Sequence, residues 1–138
     1  MSTTAETRTV IENYIRALQS GEAVDRRHEF FTEDATWTLA GDLPTSGTWT
    51  GPDGIFHGFL PAMLERFDTT QPMSQEVRAV LADGDRAVAE WTTRATTTAG
   101  EPYINDVVIA FRVTNGRIAE AREYFDTAYA RRLLFATN

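Results

Sequence analysis

The chain has 138 residues and a formal net charge of −7, which fits one domain of common size and argues against a nucleic-acid or anionic membrane surface. It contains no cysteine, which excludes disulfides, zinc–thiolate sites, iron–sulfur clusters and a thiol nucleophile. The start of the sequence has no basic segment followed by an apolar run, and no apolar stretch approaches the ~18 residues of a membrane span. We therefore expect a soluble cytoplasmic protein with a single domain over residues 1–138.

A long amphipathic helix is predicted near the start of the chain. Thr3 and Glu6 have the spacing of a capping box, and the Ser-Gly pair at 20–21 is a stop signal. Between these signals, apolar residues recur at helical spacing on one face: Val10, Ile11, Tyr14, Ile15 and Leu18. A second, shorter helix is expected at 23–31, followed by a turn at 32–34.

A third helix is predicted after a short strand at 35–39 and an irregular loop or hairpin at 40–51. Pro52 suits the first position of this helix. Pro61 lies inside it, so we expect a kink or a break near 57–58. The residues expected to face inward from this helix are Ile55, Phe56, Phe59, Leu60 and Met63.

The second half of the chain changes to patterns that are typical of β-strands. One strand pair is expected at 74–81 and 86–97, and another surrounds the Asn-Gly pair at 115–116, a strong hairpin signal. The tail at 127–135 is predicted to be a short helix or an extended cover. Helices followed by a meander predict an α+β fold, in which a curved antiparallel or mixed sheet wraps around the N-terminal helices to form a cone with an internal pocket.

The last hairpin carries two polar residues on otherwise apolar faces. Strand alternation places Asn105 with Tyr103, Val107, Ile109 and Phe111, and Glu123 with Ala119, Ala121 and Phe125. A carboxyl in an apolar wall has a raised pKa, which suits Glu123 to act as a general acid or base near neutral pH. Two alternatives stay open: Glu123 forms an ion pair with Arg94 or Arg117, and Asn105 is a strand-end amide that satisfies backbone groups.

Four segments resemble the SnoaL-like polyketide cyclase group, within the wider cone-shaped fold of nuclear transport factor two. They are V-I-E-N-Y-I-R-A-L at 10–18, F-F-T-E-D-A-T-W at 30–37, S-G-T-W-T-G-P-D-G-I at 46–55 and F-R-V-T-N-G-R-I-A-E-A-R-E-Y-F-D at 111–126. The family holds isomerases, cyclases, dehydratases, epoxide hydrolases and proteins without catalytic activity. The resemblance implies the cone fold, a small-molecule substrate and a homodimer, for which the outer sheet face with Trp91 and Ile104 is a plausible contact.

The resemblance to ketosteroid isomerase includes one of that enzyme's three catalytic residues, the tyrosine, and does not include its two carboxyl groups. Tyr14 falls where that enzyme has its oxyanion-hole tyrosine, and a core tyrosine bonded to a backbone carbonyl is the alternative. The enzyme's two functional carboxyl groups would fall at Ile109 and near Leu39, where this chain has apolar side chains. The isomerase mechanism is therefore not carried over as it stands.

The resemblance to limonene-type epoxide hydrolase is also partial. The arginine and two aspartates of that enzyme would fall at Glu90, Thr92 and Glu123, so only the last carboxylate has a counterpart. Arg94 is expected on the same face of its strand as Glu90. This comparison and the alternation of the hairpin agree that Glu123 faces the interior of the cone.

Together these observations predict a cofactor-independent enzyme that transfers a proton on a small hydrophobic, carbonyl-containing compound, polyketide-like or steroid-like. Glu123 would move the proton, and Tyr14 and Asn105 would steady the enolate oxygen, in an isomerase, cyclase or dehydratase. The expected substrate-binding residues are Trp37, His57, Phe59, Glu90, Arg94 and Phe125.

Two other functions stay open: a hydrolase in which a carboxylate activates water, and a non-catalytic ligand-binding or dimerisation module. No metal site is expected, because the two histidines are far apart and lack metal-ligand spacing.

Overall fold

The computed structural model describes residues 2–136 and begins with a long helix, α1, at Thr4–Ser20. The predicted capping box is confirmed, since Thr3 Oγ1 accepts from the Glu6 N–H and the Glu6 carboxylate accepts from the Thr3 N–H. Gly21 ends the helix with φ at 81°, a left-handed conformation that glycine adopts without strain. The buried residues of α1 are Thr7, Ile11, Tyr14, Ile15 and Ala17.

The remaining helical segments are short. They are α2 at Arg27–Phe30, α3 at Gly51–Asp53, a first π-helical segment at Gly54–Phe59, α4 at Leu60–Leu64, α5 at Thr127–Ala130 and a second π-helical segment at Arg131–Phe135. The expected kink or break near 57–58 is replaced by the first π-helical segment, through which the helical conformation continues. Pro61 has no N–H to give the His57 carbonyl, and the Leu60 N–H bonds to Ile55 O in the wider register.

Six strands form one sheet, with bounds at Phe31–Leu39 for β1, Gly47–Thr50 for β2, Ser74–Asp83 for β3, Arg86–Thr96 for β4, Pro102–Thr114 for β5 and Arg117–Phe125 for β6. Their order is β2-β1-β6-β5-β4-β3. β1 pairs with β6 in parallel and every other neighbouring pair is antiparallel. The mixed sheet confirms the predicted α+β class. In the described residues, no helix is long and apolar enough to cross a membrane.

The first strand differs from its prediction. The expected turn at 32–34 is wrong, because these residues continue β1. Its pairing with β6 is irregular there: Phe31 pairs with Ile118, and the next pair is Thr36 with Glu120. Four residues of β1 therefore stand opposite a single residue of β6, and the chain stays extended while the ladder is interrupted.

The inner faces of β4 to β6 form the core against the helices. In β4, Ala87, Ala89 and Trp91 are at most 4% exposed. The prediction that Trp91 lies on the outer face of the sheet is therefore wrong. In β6 a bulge leaves Ala119 unpaired, because Val113 pairs with Ile118 and Arg112 pairs with Glu120. From Ala121 onward the alternation is regular, and the inner face continues through Glu123 and Phe125.

Candidate active site

A cavity of about 380 Å³ lies between the inner face of the sheet and the helices. Its wall is mostly apolar, with aromatic and aliphatic side chains from α1, from the helical stretch at 51–64 and from β4 to β6. The lining side chains that carry titratable or hydrogen-bonding groups are Tyr14, Trp37, Gln75, Trp91, Thr93, Tyr103 and Glu123. A mostly apolar cavity with a few polar groups is the usual form of a small-molecule site.

Within residues 2–136, Glu123 is the only carboxyl on this wall. It is the Cα partner of Ile109 on β5 and of Leu39 on β1, and both of these neighbours are at most 1% exposed. These are the two positions at which the resemblance to ketosteroid isomerase leads one to expect carboxyl groups. The carboxyl of Glu123 therefore lies between the apolar side chains of Leu39 and Ile109 on the two neighbouring strands.

The environment of Glu123 favours its neutral form. Burial in the apolar wall raises the pKa of Glu123 to about 7, and a hydrogen bond from Trp37 Nε1 to Oε1, 3.1 Å long, lowers it and so limits the rise. The Glu123 side chain is half-buried and lies on the cavity wall. None of the ion pairs within residues 2–136 involves Glu123. The alternative prediction, an ion pair of Glu123 with Arg94 or Arg117, is therefore wrong.

Tyr14 projects from the middle of α1 to the same cavity. Its ring packs edge-on against Phe30, Phe31 and Phe111, with centroid distances of 5.7, 5.4 and 6.2 Å. Burial raises the pKa of Tyr14 strongly, and the charge of Glu123 raises it further. The Tyr14 hydroxyl is therefore a neutral hydrogen-bond donor at physiological pH. It is close enough to Glu123 for the two groups to interact electrostatically.

Asn105 is on the inner side of β5, but the cavity wall does not include it. Its Nδ2 donates to Tyr103 Oη at 2.9 Å and to Asp126 O at 3.1 Å, and its Oδ1 accepts from Asp126 N at 3.2 Å. Asn105 therefore acts as the strand-end amide of the alternative prediction, since it satisfies the backbone N–H and carbonyl of Asp126. Sequence reasoning missed Tyr103, whose position two residues before Asn105 on the same face was the available signal.

The six predicted substrate-binding residues divide into two groups. Trp37, Phe59 and Phe125 lie on the cavity wall. His57, Glu90 and Arg94 do not, and their placement in the cavity is wrong.

Two physical reasons account for the misplaced group. Trp91 and Thr93 face the cavity, so alternation directs Glu90 and Arg94 to the outer face of β4. The side chain of His57 is 59% exposed and its Nδ1 lies 3.5 Å from Asp53 Oδ1 on the same helical stretch. Among residues 2–136, no three His, Cys, Asp or Glu side chains are grouped to hold a metal ion.

A family model for the SnoaL-like domain matches residues 11–121. The chain belongs to the SnoaL-like domain family. The fold, with its helices on one face of a six-stranded sheet, agrees with that membership. A search of curated proteins gave no match to this SnoaL-like chain.

Solved structures that resemble this SnoaL-like protein cover nearly all of it. An NTF2-like protein from Burkholderia xenovorans is 20% identical over 97% of this chain and 99% of its own, with a TM-score of 0.79. A candidate SnoaL-like polyketide cyclase from Jannaschia is 15% identical over 100% and 97%, with a TM-score of 0.79. A candidate isomerase from Bacillus subtilis is 14% identical over 99% and 98%, with a TM-score of 0.73. At such identities the similarity concerns the fold.

Proposed function

We propose that this SnoaL-like protein is a cofactor-independent acid–base enzyme that moves a proton next to a carbonyl group in a hydrophobic substrate. The observation that carries the proposal is the Glu123 carboxyl, alone in a mostly apolar cavity with its pKa raised to about 7. A group with such a pKa is present in both protonation states near neutrality, as a general base that must return its proton requires. Isomerisation, aldol-type cyclisation and dehydration all begin with this step.

The first step is removal of a proton from the carbon beside the substrate carbonyl by the Glu123 carboxylate. The C–H electron pair moves into an enolate, and its oxygen accepts a hydrogen bond from the Tyr14 hydroxyl. Trp37 donates to Oε1 of Glu123, and the other oxygen, Oε2, would accept the proton from the substrate. The proton then returns to a second carbon in an isomerase or to a departing hydroxyl in a dehydratase. In a cyclase the enolate carbon attacks a second carbonyl, whose oxygen takes the proton.

The apolar wall supports this chemistry in two ways. It partly desolvates the carboxyl, which keeps Glu123 basic enough to accept a proton from carbon. It also favours a neutral hydrophobic substrate, because an anion would meet the negative charge of Glu123 without a cation on the wall to compensate it. Polyketide-like and steroid-like ketones have this character, and the solved structures that resemble this chain include a candidate polyketide cyclase and a candidate isomerase.

The test uses hydrogen–deuterium exchange, which detects enolisation without knowledge of the natural product. A decalone is incubated with the protein in D₂O, and deuterium at the carbon beside the carbonyl is followed by NMR. We expect wild-type protein to accelerate exchange and Glu123→Gln to lower that acceleration by roughly 100-fold or more. The matched control Glu90→Gln removes a carboxyl from the outer face of the sheet and should exchange like wild type. Equal exchange by wild type and Glu123→Gln would refute the proposal.

We further propose that the protein forms a homodimer through the outer face of its sheet. Val88, Ile104 and Tyr124 are between 39% and 47% exposed there, an apolar content that favours contact with a second copy. Light scattering should give the mass of a dimer for wild type and of a monomer for Ile104→Glu. A monomeric wild-type protein would overturn this assignment.

A further inference from the structure

The amide of Asn105 is locked in one orientation. The Asp126 N–H can only donate, so the atom 3.2 Å from it must be the oxygen Oδ1. The other end of the amide is then the NH₂ group, which donates to Tyr103 Oη at 2.9 Å and to Asp126 O at 3.1 Å. Tyr103 Oη is therefore an acceptor in its bond with Asn105, and its own proton is not used there.

Among the described residues 2–136, that proton has no recorded acceptor. Tyr103 lines the cavity, and within residues 2–136 Asn105 is the only group that hydrogen-bonds to its hydroxyl. Burial raises the pKa of Tyr103 to about 12, the Asn105 hydrogen bond opposes this, and the charge of Glu123 adds to it. The hydroxyl is thus neutral, fixed in position and able to donate one hydrogen bond to a ligand.

Tyr103 and Glu123 mark different ends of the cavity. Glu123 is opposite Ile109 on β5, and Tyr103 lies six positions earlier on that strand. The Tyr103 ring is held by edge-on packing against Phe67 at 5.1 Å and by contact with Tyr129 at 5.3 Å. A donor fixed at one end and a proton-transfer group at the other set a distance that a ligand has to match.

We infer that Tyr103 binds a second oxygen of the substrate, so that the protein selects hydrophobic compounds with two separated oxygen functions, of which one is the reacting carbonyl. Asn105 is a positioning residue, because it acts on the ligand through Tyr103. This inference rests on the proposed function, which assigns the reacting carbonyl to Glu123 and Tyr14. Compounds of this class include diketones and hydroxyketones on a fused-ring frame.

The experiment compares two ligands that differ by one oxygen: the decalone of the exchange test and a decalindione with its second ketone on the far ring. Calorimetry gives the dissociation constant of each ligand for wild type and Tyr103→Phe. The substitution keeps the ring that packs on Phe67 and Tyr129. We expect it to weaken diketone binding roughly tenfold and to leave decalone binding unchanged, since it removes one hydrogen bond. Tyr124→Phe, at an exposed tyrosine of the outer face, is the matched control.

Asn105→Asp separates positioning from simple support of the fold. The carboxylate can still accept the Asp126 N–H, but it cannot donate to Asp126 O or to Tyr103, and it instead accepts the Tyr103 proton. The donor is then lost to the ligand although the side chain keeps its shape. Diketone binding should again weaken roughly tenfold with decalone binding retained. Loss of both ligands to the same extent would indicate a structural role for Asn105 and overturn its positioning role.

The outcomes separate the two proposals. Binding of both ketones with Glu123-dependent exchange, but without a selective effect of Tyr103→Phe, refutes the second-oxygen inference and leaves the proposed function standing. A selective effect of Tyr103→Phe on binding, without exchange, supports the donor and refutes the catalytic proposal. If neither ketone binds to wild-type protein, both proposals are wrong.

Discussion

Replacing the cavity carboxyl should make the protein more stable while it removes the proposed activity. Glu123→Gln keeps the shape of the side chain and an oxygen that can accept the hydrogen bond from Trp37 Nε1. It removes a negative charge from an apolar wall, where burial disfavours that charge. The increase in the free energy of unfolding should therefore depend on whether Glu123 is ionised in the wild-type protein, and hence on pH.

The magnitude follows from the change in pKa on folding. The pKa of Glu123 is 4.5 in an unperturbed chain and about 7 in the fold, and each pH unit between them corresponds to about 1.4 kcal/mol. Because the folded state binds the proton more tightly, the contribution of Glu123 to the free energy of unfolding is largest below pH 4.5. This contribution falls by about 3 kcal/mol as the pH rises through 7 and is nearly constant at higher pH.

Urea unfolding followed by tryptophan fluorescence at a series of pH values measures this contribution. The stability difference between Glu123→Gln and wild type should grow by about 3 kcal/mol in favour of the variant between pH 4.5 and 8. Glu90→Gln on the outer face corrects for the general effect of removing one carboxylate. A difference between Glu123→Gln and wild type that stays the same over this pH range would show that Glu123 is not held in a desolvated environment.

Three further substitutions, the last with a control variant, test other parts of the structure. Tyr14→Phe should slow ketone exchange by roughly 100-fold, measured by NMR, if its hydroxyl stabilises the enolate. Trp37→Phe removes the hydrogen bond that lowers the pKa of the cavity carboxyl, so the exchange rate should begin to rise at higher pH than in wild type. Gly41→Ala should lower the free energy of unfolding by about 2 kcal/mol, since φ is 99° and a Cβ would meet Thr127 Cγ2 at 2.7 Å. Gly84→Ala, also at positive φ but in open space, should cost less.

The features that local sequence patterns determine could be predicted. The capping box of α1 needs only residues three positions apart, and the hairpin around 115–116 needs only its turn and two alternating runs. For the same reason the inward direction of Glu123 follows from its neighbours along β6. Asn105 also faces inward as alternation requires, but its hydrogen bonds depend on the chain after β6, which the pattern of β5 does not contain.

The features that depend on distant parts of the chain could not be predicted. The parallel pairing of β1 with β6 brings Trp37 to Glu123 over 86 positions of sequence, and no local pattern indicates it. In β4 the resemblance to an epoxide hydrolase placed Glu90 inward, and strand alternation then placed Arg94 on the same face. The structure instead directs the large apolar residue Trp91 to the cavity, which is the choice that burial of aromatic area favours.

The arrangement around Glu123 would let a single carboxyl carry the proposed proton transfer. Two acidic groups close together in an apolar wall repel each other, and their pKa values depend on their separation. Here the flanking positions are Leu39 and Ile109, so burial and one indole hydrogen bond set the pKa of Glu123. The neighbouring hydroxyl of Tyr14 stays neutral and can respond to charge that develops on a substrate. A cavity with a single ionisable acid and neutral donors is thus suited to reactions in which one proton leaves and returns through the same group.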